Sequence, residues 1–572
     1  MKPIDWAVLA ITLVAIVAYG TWKTRGIKSV DSYLRGGSDT KWYTIGLSIM
    51  ATQASAITFL SVPGQAYEDG MSYVQFYFGL PIAMVLLSAT IVPLYYRLKV
   101  YTAYEYLERR FDLKTRLLTA FIFLLQRGLA AGISIYAPAI ILSTVLGWPL
   151  QLTNLIIGLL VIIYTVSGGT RAVNYTQMYQ MIIMLVGMGL AFVFILWRLP
   201  PNVSFSDAVG IAGALGKLNV VDFSTHLKTR YTLWSGMAGG LLVALAYFGT
   251  DQSQVQRYLS GSSLKESRLG LLFNGLVKVP MQFLILFVGV VVFVFYQFHP
   301  PPVFFNEAEL EKARHSSESA HLTQIESSFS AAFAEKNASL QAWTSAQHSG
   351  DSNLAGLARQ QMRGADERMQ QIRNQARELI ARVNPRVEKK DADYVFISFV
   401  TRYFPAGLIG LLIAVIFCAA MSATAAALNA LGTTSVVDFY RRTVRPDASN
   451  EHYLSAARWF TVFWGVVAML FAAFASQLDN LIQAVNILGS IFYGPMLGVF
   501  LLGFFMKWIR GTPAFWATVL AQIVVLLVFA YTNIGFLWYN VIGCATLLAL
   551  ANLFQIATFP LRARAPSRRI GP

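Results

Sequence analysis

The chain has 572 residues, 56% of them hydrophobic and only 13% charged, with a mean hydropathy of +0.53. Soluble domains carry about a quarter charged residues, so this composition excludes a mostly soluble enzyme, a disordered chain and a disulfide-stapled secreted protein. The net charge of +16 is the one feature that would suit nucleic acid, and the placement of the basic residues removes that reading.

An apolar helix needs about 20 residues to cross a hydrocarbon core of roughly 30 Å. In chain order, thirteen segments qualify: 5-23, 42-62, 73-96, 117-145, 151-168, 174-197, 230-250, 269-297, 395-432, 455-474, 480-506, 513-531 and 535-557. The first lacks a small-residue cleavage pattern and reads as a retained helix. Every backbone polar group must be satisfied inside the bilayer, and the periods do not suit barrel strands. The fold class is therefore an all-α polytopic membrane protein. Loops on one side are basic, with Lys23, Arg25, Lys28 and Arg35, then Arg97, Lys99, Arg109, Arg110, Lys114 and Arg116, and later Arg441, Arg442, Arg445, Lys507 and Arg510. The opposite loops near 146-150, 475-479 and 532-534 contain no Lys or Arg. The positive-inside rule puts the N-terminus outside and the C-terminus in the cytoplasm of a plasma-membrane protein, or of an inner-membrane protein in a Gram-negative bacterium. Cys418 and Cys544 match no metal or redox spacing, and the histidines form no zinc or nucleophile arrangement, so no enzyme activity is expected.

One segment, 303-393, breaks the apolar pattern, with twelve basic and thirteen acidic residues. It reads as an extracytoplasmic helical hairpin, with protein contact through it as a lesser alternative to a plain helical extension. The domain organisation is then 1-302 as a membrane region, 303-393 as the insertion, 394-557 as the second membrane region and 558-572 as a basic cytoplasmic tail.

Three spans carry unusual chemistry. The second contains Gln53, Ser55, Thr58 and Ser61 before Pro63-Gly64, a polar run that is costly at mid-membrane unless it lines a cavity. The seventh has Gly236, Gly239 and Gly240. Helices two and seven stand five apart, the relation expected of two inverted five-helix repeats whose solute site lies where helices unwind. Arg127 lies within the fourth span, too deep for easy snorkelling, and no acid within the spans offers itself as its partner. A substrate carboxylate supplies both the charge and the bidentate geometry a guanidinium favours. Equally, no acid is evident there to carry a coupled proton. Lys278 reads as a structural cation. The ninth span is rich in Ala, Ser and Thr, with Ser422 and Thr424 near its centre, which suits close packing or the oxygen ligation of a hard cation.

The blocks SAITFLSVPGQAYEDG at 55-70, YEYLERRF at 104-111, VSGGTRAVNYTQMYQ at 166-180, GTDQSQVQRYLS at 249-260 and MSATAAALNALGTTSVVDFYRR at 421-442 resemble the sodium/solute symporter family. The resemblance extends over the whole chain except about 303-393. It implies two inverted five-helix repeats, one helix before and two after, working by alternating access. It also implies at most one Na⁺ site, formed by Ala51, Ala54, Ala419, Ser422 and position 423, where this chain has Ala in place of the usual Ser or Thr. A second sodium site of some members is not expected, because Gln177 stands for its carboxylate and Ala425 and Ala426 for its hydroxyls. Ser55, Thr58, Gln75 and Arg127 resemble a sialic acid site, Arg127 with the following YAPA resembles the monocarboxylate and vitamin branch, and Gln53 of the polar run joins them as a candidate substrate residue. The expected function is symport of a small organic solute, a carboxylate in the first place. The alternatives are a sugar or other neutral solute, and a facilitated carrier or sensor that has lost sodium coupling. The expected partners are an anionic small molecule and the lipid bilayer, and no nucleic acid.

Overall fold

The structure, a computed structural model, describes residues 1–23, 34, 36, 39–201, 203–385, 387, 389–474 and 481–558. The predicted basic residues at 25, 28 and 35, the loop 475-479 and the tail from 559 onward lie outside those residues.

Helix α1 (Pro3–Lys23) is followed by α2 (Trp42–Gln53) and α3 (Ala56–Asp69), which share the second predicted span and are separated by a break at Ala54 and Ser55. A 3₁₀ stretch, Gly70–Tyr77, leads to α4 (Leu80–Ala89) and α5 (Ile91–Leu98), and the short α6 (Tyr104–Arg110) precedes α7 (Leu113–Leu146). Two predicted spans run on as α8 (Leu150–Trp197), kinked at Gly169, whose φ of 59° only glycine adopts freely. Then come α9 (Phe205–Ala214), a π-helical turn Ser235–Gly240, α10 (Leu241–Thr250), α11 (Gln252–Leu259) and α12 (Leu264–Phe298). The insertion supplies α13 (Glu307–Arg314), α14 (Ser319–Ser349) and α15 (Ser352–Val383). The remainder is α16 (Ala392–Tyr403), α17 (Leu408–Thr434) with a π-helical continuation Ser435–Val444, α18 (Asn450–Ala472), α19 (Leu481–Phe505), α20 (Gly511–Tyr531) and α21 (Leu537–Thr558).

Among the described residues nine stretches are long and apolar enough to cross a membrane, and three shorter apolar helices, Pro3–Ile16, Leu150–Ile163 and Ser235–Thr250, accompany them. The chain is an all-α, multi-pass membrane protein. The ninth predicted segment, 395-432, is not one helix. Pro405 forces Phe404 into an extended conformation (φ −85°, ψ 152°) and Gly407 turns at φ 90°, so α16 and α17 are separate rods. Asp5 caps the second rod, accepting the N–H groups of Gly407 at 2.6 Å and Gly410 at 3.1 Å. A carboxylate is favoured at a helix N-terminus, and this one ties α1 to α17.

The insertion has a core of its own, built from Phe304, Leu310, Leu322, Phe329, Leu379 and Ile380 with their neighbours. The reversal between α14 and α15 uses Gly350 at φ 73° and Asp351, whose carboxylate accepts the N–H groups of Asn353 and Leu354. Polar contacts fasten the hairpin to the membrane helices. Arg359 and Arg363 donate to Ala214 O at 3.1 and 2.8 Å, Asn337 donates to Gln297 O at 3.1 Å, and Arg377 bridges Glu68 at the end of α3 to Asp391.

Asp391 is fully buried and also accepts from Arg373 at 2.9 Å and from the Phe305 N–H at 2.7 Å. Burial alone would raise its carboxyl, but Arg373, Arg377 and the Phe305 N–H together hold it below the ordinary carboxylate value. A depressed folded-state value means the stabilisation is present at neutral pH and is lost as pH falls through the folded-state range. Asp391→Asn leaves Arg373 without a carboxylate and Arg377 with Glu68 alone, at a cost of about 3–5 kcal/mol for a broken buried pair. We expect it to loosen the hairpin, seen as faster trypsin cleavage between 384 and 391 at neutral pH. A cleavage rate equal to wild type would show that Asp391 does not anchor the segment.

Candidate substrate and ion site

The site grows from the break between α2 and α3. The Ser55 N–H, which in a continuous helix would bond Ala51 O, turns to Gln53 O at 3.1 Å instead. Ala51 O is therefore open to a side chain, and Ser422 Oγ on α17 donates to it at 3.1 Å. Ser55 occupies the N-cap of α3 without a capping bond of its own hydroxyl, which leaves that hydroxyl for the adjoining cavity.

That cavity is lined by Gln53, Ser55 and Thr58 at the break, Phe76 and Tyr77, Gln126 and Arg127 of α7, Tyr247 and Phe248 of α10, and Asn486 and Tyr493 of α19. A mostly apolar wall with a few convergent polar groups is the usual form of a small-molecule site. Four of the five residues predicted for substrate, Gln53, Ser55, Thr58 and Arg127, meet in this cavity. Gln75 does not. The 3₁₀ stretch turns its side chain away, where it donates to Ser72 O and Tyr231 O at 3.2 and 3.1 Å and accepts the Asp222 N–H at 3.0 Å.

Arg127 corrects a second expectation. It has an acidic partner: its Nη2 donates to Asp251, and also to the Tyr493 hydroxyl at 3.0 Å, which itself donates to Asp251 Oδ2 at 3.0 Å. The other Asp251 oxygen accepts from Ser253 N at 2.9 Å and Ser253 Oγ at 2.7 Å. The guanidinium carbon lies 5.2 Å from the Tyr247 ring centre, within range of a cation–π attraction. Arg127 Nε is buried and has no partner. Asp251 and Asp438 are both fully buried, so the membrane region does contain buried acids. Asp251 eluded the sequence reading because it stands one residue beyond the apolar run of α10, at a break (φ −77°, ψ 117°) that caps α11. The signal available was the polar block GTDQSQ itself, all of which is buried.

The glycines of the seventh predicted span serve close packing. A Cβ on Gly236 would lie 2.1 Å from Gln75 O, and one on Gly240 2.5 Å from Phe76 O, so these positions let the π-helical turn lie against the cavity wall.

Of the four residues predicted for sodium, Ala51 and Ser422 meet directly, Ser422 Oγ donating to Ala51 O. Ala51 ends the turn before the break and Ala54 lies in it, and α17, which carries the buried Ala419 and Ser422, packs against α2 and α3. The donor set fits a hard monovalent cation: a carbonyl released by a helix break and a hydroxyl facing it. Gln177 of α8 closes the region. Its Oε1 accepts from Ser48 Oγ at 2.5 Å, and its Nε2 donates to Thr52 Oγ1 at 3.0 Å and to Ser422 O at 3.1 Å. Ala425 and Ala426 pack with Val173 in an apolar cluster, where their side chains offer no oxygen.

The profile of the sodium:solute symporter family matches residues 33–320 and 377–521; the unmatched stretch between falls in the hairpin. The chain is 33% identical over 296 residues to the human sodium/iodide cotransporter, a match that takes in 51% of this chain and 45% of that protein. It is 25% identical to the sodium/sialic acid symporter SiaT of Proteus mirabilis over 94% of this chain and 92% of that one. It is also 25% identical to the mouse sodium-coupled monocarboxylate transporter 2, over 88% of this chain and 69% of that protein. A solved structure of a Na⁺-coupled sialic acid symporter, substrate-bound and outward-open, superposes with a TM-score of 0.76 at 24% identity, covering 98% of each chain; that likeness establishes the shared fold. The family profile spans most of the chain, and the protein belongs to the sodium:solute symporter family, as a carrier and not an enzyme.

Proposed function

We propose that this protein is a secondary active symporter that imports a small organic carboxylate, with one sodium ion, by alternating access. The observation that carries the substrate class is Arg127: a buried guanidinium on the wall of the cavity, held at Nη2 by Asp251 and Tyr493, with Nε left without a partner. A carboxylate received on that edge keeps the Asp251 contact in place. Gln53, Ser55, Thr58 and Asn486 offer polar contacts to the rest of the solute, and the aromatic wall covers its apolar side. Relatives named for sialic acid and for monocarboxylates support the same class.

In this reading the Ala51, Ala54 and Ala419 carbonyls and the Ser422 hydroxyl would hold sodium, and the ion's charge would stabilise the break next to the bound solute. Thirteen helices in two inverted five-helix repeats, the N-terminus outside and the C-terminus in the cytoplasm of a plasma membrane, complete the proposal. The basic loops support that orientation. The 303-393 insertion would then lie on the extracytoplasmic face, and Arg377–Glu68 would tie it to the outer half of the broken helix.

Asp251 favours a second reading. It neutralises Arg127, so the cavity carries no net charge and a neutral polar solute meets no opposing field. Uptake into proteoliposomes separates the two. Labelled sialic acids, short monocarboxylates and hexoses are offered under inward sodium or potassium gradients. Sodium-driven accumulation of a carboxylate and not of hexose supports the first reading; the reverse preference supports the second. Equal uptake in potassium would identify a downhill carrier.

Ser422→Ala removes one oxygen ligand from the ion. A hydrogen-bond-class contact to a charge is worth about 1.5–3 kcal/mol, so the sodium concentration for half-maximal uptake is expected to rise roughly tenfold or more, with the maximal rate less affected. Sodium-dependent uptake with no such shift would place the ion elsewhere.

A further inference from the structure

A second cavity of about 1340 Å³ opens on the face that carries the basic loops, between the end of α4, α5, α6, the start of α12 and the end of α19. Four cations line it, Arg97, Arg110, Arg268 and Lys507, and no acidic residue does. None of the four makes an ion pair among the described residues. Four like charges around one cleft repel one another, and the low-dielectric protein wall focuses their field into it. The cleft is built to receive negative charge.

Two of the cations are held in position by backbone carbonyls. Arg110 donates through Nε to Gly503 O at 3.2 Å and through Nη2 to Met506 O at 2.9 Å and Ile509 O at 3.2 Å, at the C-terminal end of α19. Arg268 donates through Nε to Ser88 O at 2.8 Å. These bonds order the side chains and leave terminal guanidinium N–H groups for an acceptor, the fork geometry that matches a phosphate. Arg97 and Lys507 are exposed at the rim.

Most of the rest of the lining is apolar. Leu94 and Phe505 are part of the wall, Phe505 is 61% exposed, and the adjacent Trp508 is 53% exposed. Tryptophan at such a level is typical of the membrane–water interface. A free anion has no use for this half of the cleft, whereas an acyl chain does. The chain's own tail is not a candidate occupant: residues 559–572 carry Arg562, Arg564, Arg568 and Arg569 and no acid, so it is repelled.

We propose that this cleft is a binding site for an anionic phospholipid, whose phosphate sits among Arg97, Arg110, Arg268 and Lys507 and whose chain lies along Leu94 and Phe505. Basic pockets between membrane helices take such headgroups for these electrostatic reasons. The site is separate from the solute cavity, with which it shares no lining residue.

The test uses the full-length protein in a neutral detergent, following its thermal unfolding midpoint against added phosphatidylglycerol, cardiolipin, phosphatidylcholine or inorganic phosphate. A ligand that prefers the folded state raises the midpoint with its concentration. We expect saturable rises with the two anionic lipids, and none with phosphatidylcholine or inorganic phosphate. The combined variant Arg97→Gln, Arg268→Gln, Lys507→Gln should need at least tenfold more anionic lipid for half the rise. An equal response to phosphatidylcholine, an unchanged response in the variant, or full protection by inorganic phosphate would each overturn the proposal, the last by showing a free-anion site. If the variant does not fold, wild-type protein is labelled with a photoreactive anionic lipid. Adducts within 89–110, 264–268 or 503–507 support the site, and adducts confined to other segments overturn it.

Discussion

Arg127→Gln is expected to reduce carboxylate uptake on the order of 100-fold, the loss typical of a charged anchor at the centre of a binding site, and to destabilise the protein by about 3–5 kcal/mol. The stability loss comes from Asp251. That carboxylate is fully buried, and its contacts are Arg127, Tyr493 and Ser253; without the guanidinium it becomes an uncompensated charge in a low-dielectric interior. Asp251→Asn alone strands Arg127 in the same way. The two substitutions together remove both charges and should recover most of the stability, because a neutral pair of similar shape has no desolvation penalty to offset. They should recover none of the uptake, since the cation is gone. Thermal unfolding of the two single variants and the double variant, read beside uptake in proteoliposomes, gives the coupling directly. A double variant that transports carboxylate at the native rate would remove Arg127 from the substrate site.

Gly64→Ala and Gly289→Ala are each expected to reduce folded protein in the membrane to less than about a tenth, a loss of the size produced when backbone must move to admit an extra methyl. A Cβ on Gly64 would stand 1.8 Å from Ala392 O, and one on Gly289 would stand 2.1 Å from Pro63 O. The obstructing atoms are main-chain, so no rotamer change relieves them. Gly64 lies in α3, and these two contacts press it against α16 and α12 with nothing between the backbones. Gly189→Ala is the control, since its Cβ would meet nothing within 4 Å and the change should be neutral or slightly stabilising. Size-exclusion of detergent extracts measures all three; monodisperse Gly289→Ala at wild-type yield would show that the helices can separate without loss.

Much of the architecture was readable because the bilayer imposes it. Apolar runs of membrane-spanning length marked the helices, and the polar run Gln53 to Ser61 marked the break where the cavity lies. Arg127 stood out because a charge inside such a run is rare. The misreadings share one cause, that apolarity along the chain does not measure burial. Helix α11 reads QSQVQRYL, polar enough for a solvated loop, yet all eight residues are buried, and Asp251, one residue past the predicted span 230-250, is buried beside it. Gln75 fell in a 3₁₀ stretch, where the angle between successive side chains differs from that of an α-helix, so its direction did not follow from spacing. The split between α16 and α17 was encoded at Pro405 and Gly407, but the hydrophobic residues on either side masked it.

Gln177 has a consequence for how steep a gradient the carrier can hold. Its uncharged amide nitrogen donates to Thr52 Oγ1 and Ser422 O, so the group standing there brings no negative charge to hold a second ion and engages one lone pair on each of two nearby oxygens. On the proposed stoichiometry of one sodium with one monovalent carboxylate, each cycle would move no net charge across the membrane. The voltage, which would otherwise contribute about 2.3 kcal/mol per charge per 100 mV, then neither drives nor opposes the cycle. Solute accumulates only until its concentration ratio equals that of sodium, and beyond that point the carrier runs backwards.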